Sequence, residues 1–326
     1  MFTLRFDMRA PATGAPAADL YQAALEISAW AETHGGLSAL LCEHHSSPDG
    51  YLPAPIPLAS AIAARTKNLP IAIAIFMLPL YDPVRLAEEM CVLDILSKGR
   101  VSYVGGIGYV PIEYEMYGVD FHRRGAIAEE KLALLLKAVT GEAFEHQGRR
   151  IRVTPPPFTA GGPKINWGGG SLAAARRAGR YGLGFFAQKG NPELRVAYEE
   201  ASRANGHTPG MCILPPREAA NVVFVADDLD AAWAELGPYL MHDVLSYAAW
   251  NEGDTETSSL SFVKTAEALR EENRSHRIVT VDQAVALIRA GAPLPLHPLI
   301  GGLPPKIAWR YLETVANKVI PAVART

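Results

Sequence analysis

Leu37-Ser-Ala-Leu-Leu-Cys-Glu-His-His45 ends a short apolar run in one carboxylate and two imidazoles. The run has the length and composition of a buried strand, and in sheets and barrels chemistry collects where such strands end. Imidazole is the side chain best poised to move a proton near neutral pH. Glu43, His44 and His45 are therefore candidates for acid–base work. A metal centre fits them poorly. Neighbours on a strand face opposite ways and rarely chelate one ion, and the sequence holds no His-x-His, no His-Glu-x-x-His and no cysteine pair. One of the two histidines then faces the mouth of the site as acid, base or hydrogen-bond donor. The plainer alternative, loop histidines that only satisfy backbone groups, suits a lone His better than this cluster.

Two glycine clusters also sit where predicted strands end. Gly168-Gly169-Gly170-Ser171 follows one strand and opens a helix. Glycines let a backbone approach a ligand closely, and a helix N-terminus offers free N–H groups and the positive end of its dipole, which suits a phosphate. Ser171 either caps the helix or donates to the phosphate; a plain βα turn needs one glycine, not three. Gly105-Gly106-Ile107-Gly108 is the second cluster. A dinucleotide fingerprint wants a further Gly where Pro111 stands, so that reading fails. Close approach of a flat ring to the backbone and a bulged strand both remain open there. Ala74–Pro79 is apolar to its end, making Phe76 and Met77 candidates to face an apolar ligand, with core packing as the alternative. The absence of a Gly-x-Ser-x-Gly elbow and of a phosphate loop with Lys excludes serine hydrolases and nucleoside triphosphatases of those types.

These residues are carried by strands and helices in alternation. The patterning predicts strands at Thr3–Met8, Leu37–Cys42, Leu69–Phe76, Arg100–Gly105, Lys164–Gly168, Leu183–Ala187, Arg217–Ala226 and Leu294–Ile300. Helices are predicted at Ala18–His34, Pro55–Arg65, Asp82–Leu96, Arg124–Thr140, Ser171–Arg180, Pro192–Asn205, Leu229 to about Ala249, Val281–Ala290 and Ala308–Ile320. Eight β-then-α units in 326 residues point to a single α/β domain, a (β/α)8 TIM barrel, with an open doubly wound sheet as the competing arrangement. Asn251–Arg277 is polar, breaks the rhythm after the seventh strand, and reads as a mobile lid insertion.

The composition agrees with a soluble enzyme. The chain is 49% hydrophobic and 20% charged with a net charge of −3, and no basic stripe supports nucleic-acid binding. Three scattered cysteines suggest a reducing compartment without a disulfide framework. No apolar run reaches the ~18 residues of a membrane span, and Met1–Arg9 is not a signal peptide. A cytoplasmic location is the expectation.

With these residues placed, the chain resembles the bacterial luciferase-like monooxygenase family. The resemblance rests on Leu41-Cys-Glu-His-His45, Pro79-Leu-Tyr-Asp-Pro-Val-Arg-Leu-Ala-Glu-Glu89, Leu93-Asp-Ile-Leu-Ser-Lys-Gly-Arg100, Gly105-Gly-Ile-Gly-Tyr109, Gly118-Val-Asp-Phe121, Gly168-Gly-Gly-Ser171 and Arg176-Arg-Ala178, and is looser beyond residue 190. It implies a barrel that binds reduced FMN, or the related 5-deazaflavin coenzyme, at the strand ends. His44 matches the family's active-site His, which assists the reaction of flavin-activated oxygen with substrate, and Glu43 would orient it. Ala74-Ile75 falls where many relatives have a non-prolyl cis peptide that shapes the flavin pocket, Gly106 and Tyr109 fall beside the ring, and Gly168–Ser171 matches the phosphate loop. Ile107 stands where luciferases carry an Arg, which favours the wider oxidoreductase family over light emission. The resemblance thus implies a two-component monooxygenase using reduced FMN from a separate flavin reductase, O2 and a small hydrophobic organic substrate met by His45, Phe76 and Met77. A deazaflavin-dependent dehydrogenase or reductase, and a non-catalytic flavin-binding subunit, are the alternatives. Relatives are often dimers, so a homodimer is expected.

Overall fold

The computed structural model of the protein describes residues 1–325. Its elements run β1 (Phe2–Phe6), α1 (Ala17–Thr33), β2 (Gly36–Leu41), α2 (Pro55–Arg65), β3 (Ile71–Met77), α3 (Pro83–Ser97), β4 (Val101–Gly106), α4 (Pro111–Met116), α5 (Arg124–Ala138), β5 (Phe144–His146) and β6 (Arg149–Ile151). They continue with β7 (Lys164–Gly169), α6 (Leu172–Arg180), β8 (Gly184–Ala187), α7 (Pro192–Ala204), β9 (Cys212–Ile213), β10 (Val222–Val225), α8 (Leu229–Trp250), α9 (Ala266–Glu272), β11 (His276–Val279), α10 (Val281–Arg289), β12 (Leu294–Leu296), α11 (Pro305–Thr314) and α12 (Ile320–Ala324). The chain divides into two compact units. One holds Met1–Leu40, Ser47–Pro53 and the residues from Pro216 on; the other holds Leu41–Ser46 and Ala54–Pro215.

In the second unit, strands run in the order β3-β4-β7-β8-β9, each paired parallel to its neighbour. Parallel strands flanked by helices are buried on both faces and read as apolar runs. Here Ile71, Ile73, Val101, Tyr103, Ile165, Trp167 and Phe185 form the buried rows. Helix ends follow local chemistry. The Asp82 carboxylate accepts the N–H groups of Val84 and Arg85 (2.9 Å each) ahead of Pro83, and α3 stops at Lys98 in the left-handed region (φ 56°). The Ala74-Ile75 peptide is cis, and at that bond the β3–β4 register skips a residue, from Ala74↔Val104 to Phe76↔Gly105. Helix α4 and the β5–β6 hairpin were not foreseen from the patterning. Both are too short for a helical or strand period to stand out.

The first unit pairs β12-β1-β2 in order, with β1 and β12 parallel, and β10 parallel to β11. Asp228 caps α8, and Thr280 with Gln283 forms a reciprocal capping box on α10. The stretch read as an unpatterned lid is more built than its polarity suggests. It contains α9 and the start of β11; Leu260 and Leu269 are buried, and the Arg274 guanidinium donates to the carbonyls of Ser258 and Leu260. Its polar side chains satisfy backbone groups, which hides the order from hydropathy. Parallel strands interleaved with helices place the chain in the α/β class. No helix among the described residues is long and apolar enough to cross a membrane.

Candidate active site

Strand β2 ends at Leu41, and the four residues after it continue the chain outside any strand or helix, in the second unit. Residues two apart share a side and neighbours do not. Glu43 and His45 accordingly meet each other, while His44 turns elsewhere. All three are buried.

The His44 ring lies between a carboxylate and a phenol. Its Nδ1 is 2.7 Å from Glu113 Oε1 and its Nε2 is 3.2 Å from the Tyr109 hydroxyl. Glu113 comes from α4, whose start is set by Pro111 at the first helical turn. The same Oε1 accepts the backbone N–H of His45 at 2.9 Å, so Glu113 fixes both ring and main chain. Its position is in turn held by Tyr114, whose hydroxyl donates to the Ile107 carbonyl and whose ring meets Phe121 edge-on at 5.2 Å. With Nδ1–H committed to the carboxylate, the neutral ring keeps Nε2 as an acceptor, and Tyr109 O–H donates to it. The arrangement is an oriented base: a carboxylate, an imidazole and a hydroxyl in series.

A second Glu–His–Tyr series stands beside it. His45 Nε2 is 2.9 Å from Glu43 Oε1 and its Nδ1 is 3.3 Å from the Tyr117 hydroxyl. Glu43 also accepts from Tyr81 O–H (2.8 Å) and from the Met77 N–H (3.4 Å). Burial, then the charge of Glu43, pushes the Tyr81 phenol up, so it stays protonated and donates. Burial, followed by Glu43 and Glu113, raises Tyr117 as well. The expected pairing of Glu43 with His44 is therefore corrected. Glu43 serves His45, and the carboxylate on His44 is Glu113, as strand alternation requires.

The Ile75 side chain connects the two glycine clusters. A Cβ on Gly106 would lie 2.5 Å from Ile75 Cδ1, and one on Gly168 would lie 3.1 Å from Ile75 Cγ2. Gly105 makes room for Phe76 and Trp167, each 2.9 Å from where its Cβ would be. The glycines of β4 thus admit neighbouring side chains, and the irregularity belongs to β3 rather than β4. Phe76 and Met77, expected to face a ligand, are 2% and 1% exposed and packed. Phe76 meets Tyr81 and Tyr103 edge-on, and Met77 lies over Gly108.

Gly168–Ser171 joins β7 to α6. Gly169 sits at φ 147°, and a Cβ there would fall 2.7 Å from the Ala174 methyl, so only glycine fits. Ser171 Oγ accepts the Ala174 N–H at 3.2 Å and caps the helix. Its hydroxyl proton is not needed for that bond. Above Gly170 lie the Lys189 stem, 3.2 Å from a Cβ position, and the Gln188 side-chain oxygen at 3.4 Å. A cationic side chain beside a capped helix N-terminus over a glycine face has the donors and sign to hold a phosphate.

Four contributors escaped the sequence reading: Glu113, Tyr81, Tyr117 and Lys189. Pro111 followed by Glu113 had the form of a helix start with an acidic first turn, a signal available for the first of them. The other three offered none.

Against this geometry stand the similarities to known proteins. The profile of the family described as luciferase-like monooxygenase matches residues 2–288. The chain is 28% identical over 201 residues to N-acetyl-S-alkylcysteine monooxygenase of Bacillus subtilis (strain 168), covering 60% of this chain and 59% of that one. It is 28% identical over 148 residues to the alkanal monooxygenase alpha chain of Photorhabdus luminescens, covering 44% and 41%. The matches span less than two thirds of the length of these curated relatives. Among solved structures, monooxygenase RslO1 from Streptomyces bottropensis superposes with a TM-score of 0.76 at 20% identity over 99% of both chains. The oxygenating constituent of 3,6-diketocamphane monooxygenase from Pseudomonas putida, solved in complex with FMN, superposes with a TM-score of 0.67 at 20% identity over 99% of this chain and 98% of that one.

Proposed function

The chain belongs to the luciferase-like monooxygenase family, and from that premise we propose that it is a two-component monooxygenase using reduced FMN and O2 on a small apolar organic substrate. Its fold in this reading closes as a (β/α)8 barrel, and a separate reductase supplies the cofactor. The observation that carries the proposal is the oriented base, Glu113–His44–Tyr109, with contacts of 2.7 and 3.2 Å. The names of the sequence relatives, both monooxygenases, support the reaction class.

The residues present fit a flavin mononucleotide. Gly169, Gly170 and Ser171 with the N-terminus of α6 would hold its phosphate, and Lys189 would supply a counter-charge; the glycine face at 170 is the cradle a side chain would fill. A bound reduced flavin would supply the electrons that activate oxygen. The chain's own residues do the rest. Glu113 keeps the His44 proton on Nδ1, so that Nε2 is the nitrogen that accepts a proton relayed by the Tyr109 hydroxyl. Burial of His44, Glu43, His45 and Glu113 keeps bulk water from that relay.

Titration of the cofactor-free protein with FMN, reduced FMN and a 5-deazaflavin, followed by oxygen uptake, tests the proposal. Tight binding of reduced FMN with substrate-dependent oxygen consumption is expected. Tight deazaflavin binding without oxygen consumption would overturn it in favour of a dehydrogenase, a reading that shares its fold with an F420-dependent secondary alcohol dehydrogenase (TM-score 0.62, 17% identity, 91% of each chain). Flavin binding with no turnover of either kind would leave a non-catalytic flavin-binding subunit.

A further inference from the structure

We propose that Asp7, Asp243 and His297, in the first unit, form a three-ligand site for one divalent transition-metal ion of the zinc class. Asp7 follows β1 and His297 follows β12, and these strands run parallel as neighbours, with Phe2 opposite Leu294 and Leu4 opposite Leu296. Parallel pairing carries both residues to the same end of the sheet. Asp243 comes from α8. One donor atom from each of the three lies within 4.8 Å of the others.

Burial makes this convergence informative. Asp7, Asp243 and His297 are 0%, 2% and 0% exposed. Asp7 Oδ2, Asp243 Oδ1 and both ring nitrogens of His297 have no hydrogen-bond partner among the described residues, and His297 Nε2 stands 3.3 Å from Asp7 Oδ1. Arg9 Nε lies 3.5 Å from Asp7 Oδ2, beyond a good hydrogen bond, and buried polar atoms left without a hydrogen bond cost free energy unless something fills the gap between them. The remaining oxygens are braced as metal-bound carboxylates are. Asp243 Oδ2 faces His276 Nε2 at 3.0 Å, and His276 Nδ1 meets Ser275 Oγ at 2.9 Å. Asp7 Oδ1 accepts the Arg9 backbone N–H at 3.2 Å.

The charge balance allows a dication. Arg9 lies 3.5 Å from Asp7 but is shared with Asp49, and Arg5 acts on Asp243. Three carboxylates thus face two guanidiniums, which leaves the cluster with one negative charge before its histidines (His242 on Asp49, His276 on Asp243, and His297) are counted. Two carboxylate oxygens and an imidazole nitrogen are the donor set of zinc-class ions rather than of calcium. Because the ligands lie just after β1 and β12 and on α8, an ion there ties the ends of the first and last strands of this unit to its longest helix, and its binding adds to folding stability.

The chelator-stripped full chain, titrated with Zn2+ by calorimetry and with Co2+ by visible absorption, is expected to take up one ion per chain and to melt at a higher temperature when loaded. Asp243→Asn and His297→Gln are each expected to abolish that uptake, and His276→Gln to weaken it about 10- to 100-fold. X-ray absorption at the zinc edge of the loaded wild-type chain reads the ligands directly, whether or not the variants fold, and is expected to show imidazole and oxygen without sulfur. No stoichiometric uptake, uptake unchanged in both ligand variants, or a sulfur-ligated zinc spectrum would each overturn the proposal.

Discussion

Glu113 Oε1 stands 2.7 Å from His44 Nδ1 although 69 residues separate them, and the same oxygen takes the His45 N–H. The nearer carboxylate in sequence, Glu43, is committed to His45, Tyr81 and the Met77 N–H. Two isosteric substitutions separate the roles. Glu113→Gln removes the charge that holds the His44 tautomer, and kcat is expected to fall about 100-fold with KM for reduced FMN little changed. Glu43→Gln is expected to be felt mainly in folding stability. Equal losses of kcat in the two variants, measured by steady-state oxygen uptake, would contradict the assignment.

His44 itself is expected to carry the proton transfer. His44→Ala should lower turnover about 10²- to 10⁴-fold, the usual worth of a positioned acid–base group, while FMN affinity measured by fluorescence stays at the wild-type value. Wild-type turnover in this variant would remove His44 from the mechanism.

Much of this was legible in the sequence because local chemistry writes itself there. Apolar runs marked the strands, and Asp82-Pro83 marked the start of α3. The glycine turn at 168–171 was legible because only glycine serves at φ 147°. Partner choice across the sheet was not legible. Glu43 was expected to orient His44 but meets His45, and nothing local pointed from His44 to a six-residue helix beginning at Pro111. Lys189 was hidden in the same way, since its approach to Gly170 arises from the packing of β8 beside β7. Asp7, Asp243 and His297 come from opposite ends of the chain, and only the β1–β12 pairing and the course of α8 bring them together.

The phosphate cradle gives a prediction independent of turnover. Lys189→Ala is expected to weaken FMN binding about five-fold, the scale of a partly exposed ion pair, and to leave riboflavin binding unaffected because riboflavin lacks the phosphate. Added salt should shrink the difference between variant and wild type. Gly169→Val is expected to cost about 2 kcal/mol of stability, from the backbone at φ 147° and the clash with Ala174, and to weaken FMN binding more than Lys189→Ala does. Isothermal titration with both ligands decides the first point, and an equal loss for riboflavin and FMN would place Lys189 away from the phosphate.

Acid stability provides the last prediction. Burial alone would raise the Asp49 carboxyl, but hydrogen bonds from His242, Ser47 and Arg9 and the charge of Arg9 hold it well below the usual carboxylate range. Asp7 and Asp243 are held low by their own partners. A carboxyl whose folded pKa lies below its unfolded value stabilises the fold at every pH above the unfolded value and loses that contribution as pH falls toward the folded one. The unfolding free energy should therefore hold from neutral pH down to about pH 4 and fall steadily below it. Asp49→Asn breaks a buried pair with Arg9 and should be destabilised by about 3 kcal/mol at pH 7. Since the variant has no Asp49 carboxyl left to protonate, its stability should fall less steeply below pH 4, and the two curves should converge. Urea unfolding at neutral pH and at two values below pH 4 measures both slopes, and parallel curves would show that Asp49 is not held low in the folded state.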